Sequence, residues 1–280
     1  MDKIKNRILQ ICTFGIMTVF LFGAINLTVR ADSITDKGDN DTMETAESIA
    51  ANNEKPSGVL DGKHEGQNKI RGYVDSKDTD WYKVLLTAGR NYMTCTGELA
   101  GSYTLRIVNS GGDVIVTDVY SKMNRERAVY TFTVPEAGYY YVEIQGTMSQ
   151  SVWYTFMIGS PTYELDICDI HCTEGSVSMT SGGRAQTVHF NGSSITGLPR
   201  DAIASTVKVT DIPLNGTSSV WVENDDRELG FSLVKHTWYR ENLLSMNLPV
   251  ESVWTVEFGY NKVISFTPVL RVIYVYPVYE

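Results

Sequence analysis

The sequence predicts an all-β protein: an N-terminal β-sandwich or jelly-roll domain followed by a second β-rich, sandwich-like domain. Three observations carry this. Sixteen tyrosines, five tryptophans and many Val, Ile and Thr suit pleated, half-buried surfaces. From Lys69 onward, short alternating apolar stretches recur with turn chemistry between them. Setting aside the first 31 of the 280 residues leaves roughly 250, which fits two domains of ordinary size better than one.

The first 31 residues read as a secretory signal. Lys3, Lys5 and Arg7 form a basic start, and an uncharged stretch from Ile8 to Val29 follows, most apolar between Ile11 and Ile25. Val29-Arg30-Ala31 supplies a small-residue site before the polar run that opens at Asp32. The rival reading is an uncleaved anchor, since about 20 apolar residues suffice to span a bilayer. Gln10, Thr13, Thr18, Asn26 and Thr28 dilute the stretch and favour cleavage. Cys12, with no small residues before it, is a poor lipidation site. No second apolar run of spanning length follows, so the rest is expected outside the cell.

Residues 32–68 form a polar lead-in. Within it Thr42 to Ala51 is helix-like: Met43, Ala46 and Ile49–Ala50 fall near helical spacing, and Asp41 or Thr42 could cap the start. Asn53 to Asn68 reads as loop, broken by Pro56, Gly58 and Gly62.

Eight strands are then expected at Lys69–Val74, Trp81–Leu86, Arg90–Thr96, Tyr103–Val108, Val114–Val119, Ala128–Val134, Tyr139–Gln145 and Val152–Ile158. Tyr130, Phe132 and Val134 would share one face, with Val129, Thr131 and Thr133 on the other. Asn109-Ser110-Gly111-Gly112-Asp113 is a hairpin turn, and Pro135-Glu136-Ala137-Gly138 marks another connection. Gly159-Ser160-Pro161-Thr162 is the expected boundary between domains. Beyond it, in residues 161–280, strands are expected at Thr187–Phe190, Ser205–Val209, Ser219–Val222, Leu229–Val234, Val253–Phe258, Val263–Phe266 and Leu270–Val275. Ser181-Gly182-Gly183, Asn191-Gly192 and Asn215-Gly216 supply turns. The Val- and Tyr-rich ending, Val272–Tyr279, is expected to close a sheet.

Charge excludes some partners. The formal charge is −9, and the first 31 residues carry Lys3, Lys5, Arg7 and Arg30 against Asp2, so their removal takes it to −12. An acidic chain without a basic cluster excludes nucleic acid and anionic lipid as partners, and suits cations. Membrane contact is expected only through the signal segment.

Cys95, Cys168 and Cys172 remain after Cys12, an odd set for an oxidising compartment. Cys168-Asp-Ile-His-Cys172 offers two thiols and His171 to a metal, but no second ligand pair stands nearby and structural zinc wants four. On a strand these two cysteines would lie roughly 13 Å apart, too far for a disulfide. A turn or helix would permit one.

The first β region resembles the bacterial pre-peptidase C-terminal domain family, β-sandwich modules found beside secreted peptidases and in clostridial collagenases. Asn40-Asp41-Thr42 with Thr45-Ala46 and Ile49 is similar to that family's opening segment. Gly72-Tyr73-Val74-Asp75, then Asp78-Thr79-Asp80-Trp81-Tyr82-Lys83-Val84, resembles its strand and acidic loop, and Ala88-Gly89 with Tyr92 its next turn and strand. Leu105 to Gly112 resembles its hairpin, with Asn109 where an Asp is usual, and Ala137-Gly138-Tyr139-Tyr140-Tyr141-Val142 its closing strand. The likeness covers about residues 36–158; residues 161–280 resemble nothing comparable. Such domains often trail a protease, and none precedes this one.

That resemblance implies a fold and a calcium site, not peptidase activity. In calcium-binding members the opening segment folds against the loop before the aromatic strand, and both donate ligands. By position Asp36, Asn40 and Asp41 match acidic and amide ligands, and Asp80 matches the one before the aromatic pair. Gly38 and Lys77 stand where such members place acidic residues; Asp39, Asp75 or Asp78 could substitute. Calcium takes six to eight oxygens, and the expected metal ligands are Asp36, Asn40, Asp41, Asp75, Asp78 and Asp80. The alternative is solvated loop carboxylates, with Asp41 capping a helix and Asp80 holding a turn.

No catalytic signature stands out. His64, His171, His189 and His236 lie in no His-Glu-x-x-His pattern, and no Gly-x-Ser-x-Gly elbow occurs. A triad assembled from distant parts is the one enzymatic alternative. Asn224-Asp225-Asp226 reads as a solvated hairpin loop or a cation or sugar site. Trp153, Trp221, Trp238 and Tyr239 read as packing residues or a sugar platform. The expected function is a secreted non-catalytic module that binds an extracellular protein, glycan or cell-surface ligand. The alternative is an accessory domain pair serving secretion or envelope assembly with a separately encoded enzyme.

Overall fold

The computed structural model describes residues 32–124, 126–180, 185–213, 215 and 217–279; the expected signal segment, the expected Ser181-Gly182-Gly183 turn and Gly216 of the expected Asn215-Gly216 turn lie outside them. The chain first lays down β1 (Asp32–Thr35), β2 (Glu47–Ile49) and the short helix α1 (Pro56–Leu60). Then come β3 (Asn68–Val74), β4 (Thr79–Leu86), β5 (Gly89–Gly97), β6 (Ser102–Asn109), β7 (Val114–Ser121), β8 (Ala128–Val134), β9 (Gly138–Gly146) and β10 (Val152–Gly159). Two five-stranded sheets result, ordered β1-β3-β10-β5-β8 and β2-β4-β9-β6-β7. All eight strands expected in this half are present, and several alternate cleanly. In β4, Asp80, Tyr82, Val84 and Leu86 are buried while Trp81, Lys83 and Leu85 face outward. Inward residues of both sheets form one core, including Ile70, Met93, Tyr154 and Phe156 from one and Tyr82, Leu105, Val142 and Ile144 from the other.

The second half adds β11 (Tyr163–His171), β12 (Val177–Met179), β13 (Ala185–Asn191), β14 (Ile203–Thr210), β15 (Thr217–Asn224) and β16 (Leu229–Ser232). A one-turn helix α2 (Leu243–Met246) precedes β17 (Val253–Tyr260), β18 (Ile264–Phe266) and β19 (Val269–Pro277). Sheets β11-β19-β14 and β13-β17-β15-β16, with the pair β12-β18, enclose a second core built around Trp254, Phe190, Phe258, Val207 and Val272. The protein is thus all-β, with two sandwich-like cores that divide along the sequence.

Three expectations differ from what is observed. The Thr42–Ala51 stretch is not helical. Thr42 and Thr45 cap each other, each hydroxyl accepting from the other's N–H at 3.1 and 3.3 Å, which closes a single turn. Glu47–Ile49 then pairs parallel with Tyr82–Val84. Ile49 alone of the patch is buried, and a sheet edge buries one residue more readily than a helix would. The helix lies instead at α1, inside the expected loop. Pro56 opens it at a position where its missing N–H is harmless. Gly58 lets the chain fold back, since a Cβ there would stand 2.8 Å from the Glu65 nitrogen. Finally, β1, β11 and β12 were not expected, and the ending closes its sheet from the centre, as β19.

Helix α1 packs on β11 and β19, so the lead-in touches both halves. Asn52, 2% exposed, donates to the carbonyls of Ser160 and Pro161 at 2.8 and 3.3 Å and accepts from the Asn68 N–H at 3.3 Å.

Candidate functional site

The two segments expected to donate metal ligands meet. The Trp81 N–H donates to the Asn40 carbonyl at 2.8 Å, and the Asn40 side-chain amide donates to the Trp81 carbonyl at 3.1 Å. Asn40 and Asp80 are 2% and 1% exposed. The Asn40 Oδ1 is buried without a hydrogen-bonding partner, an unusual state for a polar atom.

Asp80 closes a chain of buried hydroxyls. Tyr154 donates to the Asp80 Oδ2 at 2.5 Å, and the Tyr82 and Tyr154 hydroxyls lie 2.5 Å apart. Tyr154 thus links Asp80 to Tyr82, whose hydroxyl also lies close to the Asn40 side chain. Gly72 makes room: a Cβ there would stand 2.2 Å from the Tyr154 hydroxyl oxygen. Burial pushes the Asp80 carboxyl up to about 7; the Tyr154 bond opposes this, and the charges of Asp36, Asp78 and Asp41 add to it. Asp78 is raised too, by burial and then by Asp41, Asp75 and Asp36.

The expected ligands therefore lie within electrostatic reach of one another but do equal work only in part. Asp75 already accepts from the Lys77 N–H at 2.8 Å and Asp36 from the Gly38 N–H at 3.1 Å, as turn-forming side chains do. Among the described residues, no three His, Cys, Asp or Glu side chains already converge as a metal cage.

The other candidates are scattered. Cys168 and His171 are strung along β11 and Cys172 follows directly, pairing with Phe190. The extended backbone separates Cys168 from Cys172, and no disulfide joins Cys95, Cys168 and Cys172. His189 is held by Glu174, whose Oε1 lies 2.6 Å from its Nδ1. Asp225 accepts from Thr255 at 2.8 Å in the loop after Asn224. Trp153 lies under Arg71 in the first half. Trp238 lies under Lys208 and Tyr239 stacks on Phe231, while Trp221 lies across Gly230. These four aromatics form no common platform.

An outward row on the first half went unread in the sequence. Leu85 pairs with Tyr139 and Lys83 with Tyr141 across β4 and β9. Leu85 and Tyr139 are 58% and 51% exposed, and the Lys83 ammonium sits 4.3 Å from the Tyr139 ring centre. The alternation of Trp81–Leu86 against Tyr139–Gln145 carried the signal, but only the register puts the residues side by side.

The fold and site define an all-β sandwich protein with an acidic, partly buried junction. A crystal structure from Eubacterium rectale, of a protein inferred to be secreted, aligns with 12% identity and a TM-score of 0.53, covering 85% of this chain and 81% of that one. This likeness shows the fold. The pre-peptidase C-terminal domain of a Bacillus anthracis collagenase aligns over 40% of this chain and 93% of its own, with 14% identity and a TM-score of 0.31. A periplasmic inhibitor of g-type lysozyme from Aeromonas hydrophila covers 40% of this chain and 96% of its own, with 13% identity and a TM-score of 0.27. No protein-family model and no curated protein matches the chain. No helix among the described residues is long and apolar enough to cross a membrane.

Proposed function

We propose that this chain is a secreted, non-catalytic binding module whose first half is a calcium-stabilised domain of the pre-peptidase C-terminal type. Export rests on the tripartite start of the sequence. The observation that carries the binding reading is the Leu85–Tyr139 and Lys83–Tyr141 row: apolar and aromatic groups stand outward on a sheet whose other face is already buried. Such surfaces serve extracellular protein or glycan partners, where exposed aromatics supply contact area. Aspartate replacement at Leu85 and Tyr139 should leave the fold intact and abolish retention on an array of matrix proteins and glycans. Unchanged retention would overturn this surface.

Calcium is supported by the unpartnered Asn40 Oδ1 beside buried Asp80. A hard cation would accept that oxygen, and its charge would offset the crowding of Asp36, Asp41, Asp78 and Asp80. Binding to the folded state alone stabilises it by about 2.7 kcal/mol at a hundredfold excess over Kd. Melting curves in millimolar calcium and in chelator should separate, and the separation should vanish in Asp41→Ala and Asp80→Ala yet survive Asp225→Ala. Coincident curves for the unsubstituted chain would refute it.

A further inference from the structure

The junction between the two halves holds a cavity of about 210 Å³, away from the acidic site. Its floor is the outer face of the β3-β10-β5 sheet: Lys69, Thr94, Thr155 and Met157. Its roof comes from the lead-in, through His64 and Gln67, and from the start of β11, through Tyr163 and Glu164. Buried Glu54 fixes this roof. Its Oε1 lies 2.5 Å from the His64 Nδ1, and its Oε2 accepts from the Tyr163 N–H at 3.2 Å.

The charges lining the cavity are unevenly matched. Arg127 is committed to Glu164, and His64 to Glu54. Lys69 is half-buried, and burial followed by the charge of Arg71 pulls its ammonium below the ordinary value. Among the described residues no carboxylate pairs with it. Thr94 and Thr155 are 6% and 4% exposed, and neither hydroxyl has a protein partner among the described residues. A half-buried cation that shares a cavity with two hydroxyls, and that no carboxylate among the described residues pairs with, suits an anion. The Met157 side chain gives the space an apolar wall, which inorganic anions would leave unused.

We propose that this cavity binds the carboxylate of a small organic acid, held by the Lys69 ammonium and the Thr94 and Thr155 hydroxyls, with its apolar body against Met157. The ligand would touch both halves and the lead-in at once. This goes beyond the calcium and surface-binding readings and depends on neither.

The test uses the full chain with benzoate as probe and inorganic phosphate and chloride as controls, followed by calorimetry and thermal melting. Benzoate should bind saturably and raise Tm. Lys69→Met should weaken it about 10-fold or more, the loss of a charge-assisted bond, and Thr155→Val should weaken it with the charge retained. Lys262→Met, at an exposed lysine away from the cavity, should bind as the unsubstituted chain does. In buffer without organic acid, Lys69→Met should melt above the unsubstituted chain, because it removes an uncompensated charge; a purely structural lysine would do the reverse. Absence of saturable benzoate binding, or phosphate binding as tightly as benzoate, would overturn the proposal.

Discussion

Gly72 and Tyr154 show how one missing Cβ sets up a site. The sequence places Gly72 inside a strand, where glycine is ordinarily unfavourable. The reason lies 82 residues away in Tyr154, whose ring occupies the space and whose hydroxyl reaches Asp80. Gly72→Ala should therefore displace the ring and cost about 1–3 kcal/mol, the usual penalty of overpacking, measured by urea unfolding. A neutral result would mean that the ring has slack. Glu174 offers a second test. Burial alone would raise it, but the His189 backbone N–H and imidazole hold it down to about 2. A carboxyl depressed on folding contributes stability above its unfolded pKa and loses it as pH falls toward the folded value. Stability should therefore decline between about pH 4.5 and about pH 2, and the decline should be shallower in Glu174→Gln.

Elements were legible where alternation was strong and local. The eight strands expected in the first half were marked by short apolar runs between turns, several of period two such as β3 and β4, and Asn109 folds its hairpin as the sequence suggests, accepting from the Gly111 and Asp113 N–H groups at 2.8 and 2.9 Å. Elements set by long-range contacts were not legible. Helix α1 has five residues, too few for periodicity to register, and exists because β11 and β19 seat it. Strand β11 (YELDICDIH) has an edge position and exposes Leu165 and Ile167 at 36% and 50%, so its alternation mixes apolar and acidic groups on both faces. The candidate site shows the same division. Asp36, Asn40, Asp41 and Asp80 could be picked out by likeness to a family, whereas the Tyr82–Tyr154–Asp80 chain and the Glu54–His64 pair join residues that no local pattern connects.

At the scale of the molecule, two cores lie on either side of residues 159–162, tied by Asn52, Glu54 and α1. We propose that this segment joins two separately folding halves. Residues 36–160 expressed alone should give a β-type spectrum and a cooperative melt, below that of the full chain because α1 loses its seat on β11 and β19. A fragment without a cooperative transition would refute the division. The position of β19 has a further consequence, one of timing. Tyr163 pairs with Pro277 and Thr210 with Val269, so β11 and β14 find no common neighbour until residues 269–277 have emerged. Contacts so distant in sequence close slowly. A chain delivered from its N-terminus would hold its second core open until residues 269–277 had been made, and a chain exported as proposed above would stay open that long while threading a translocation channel.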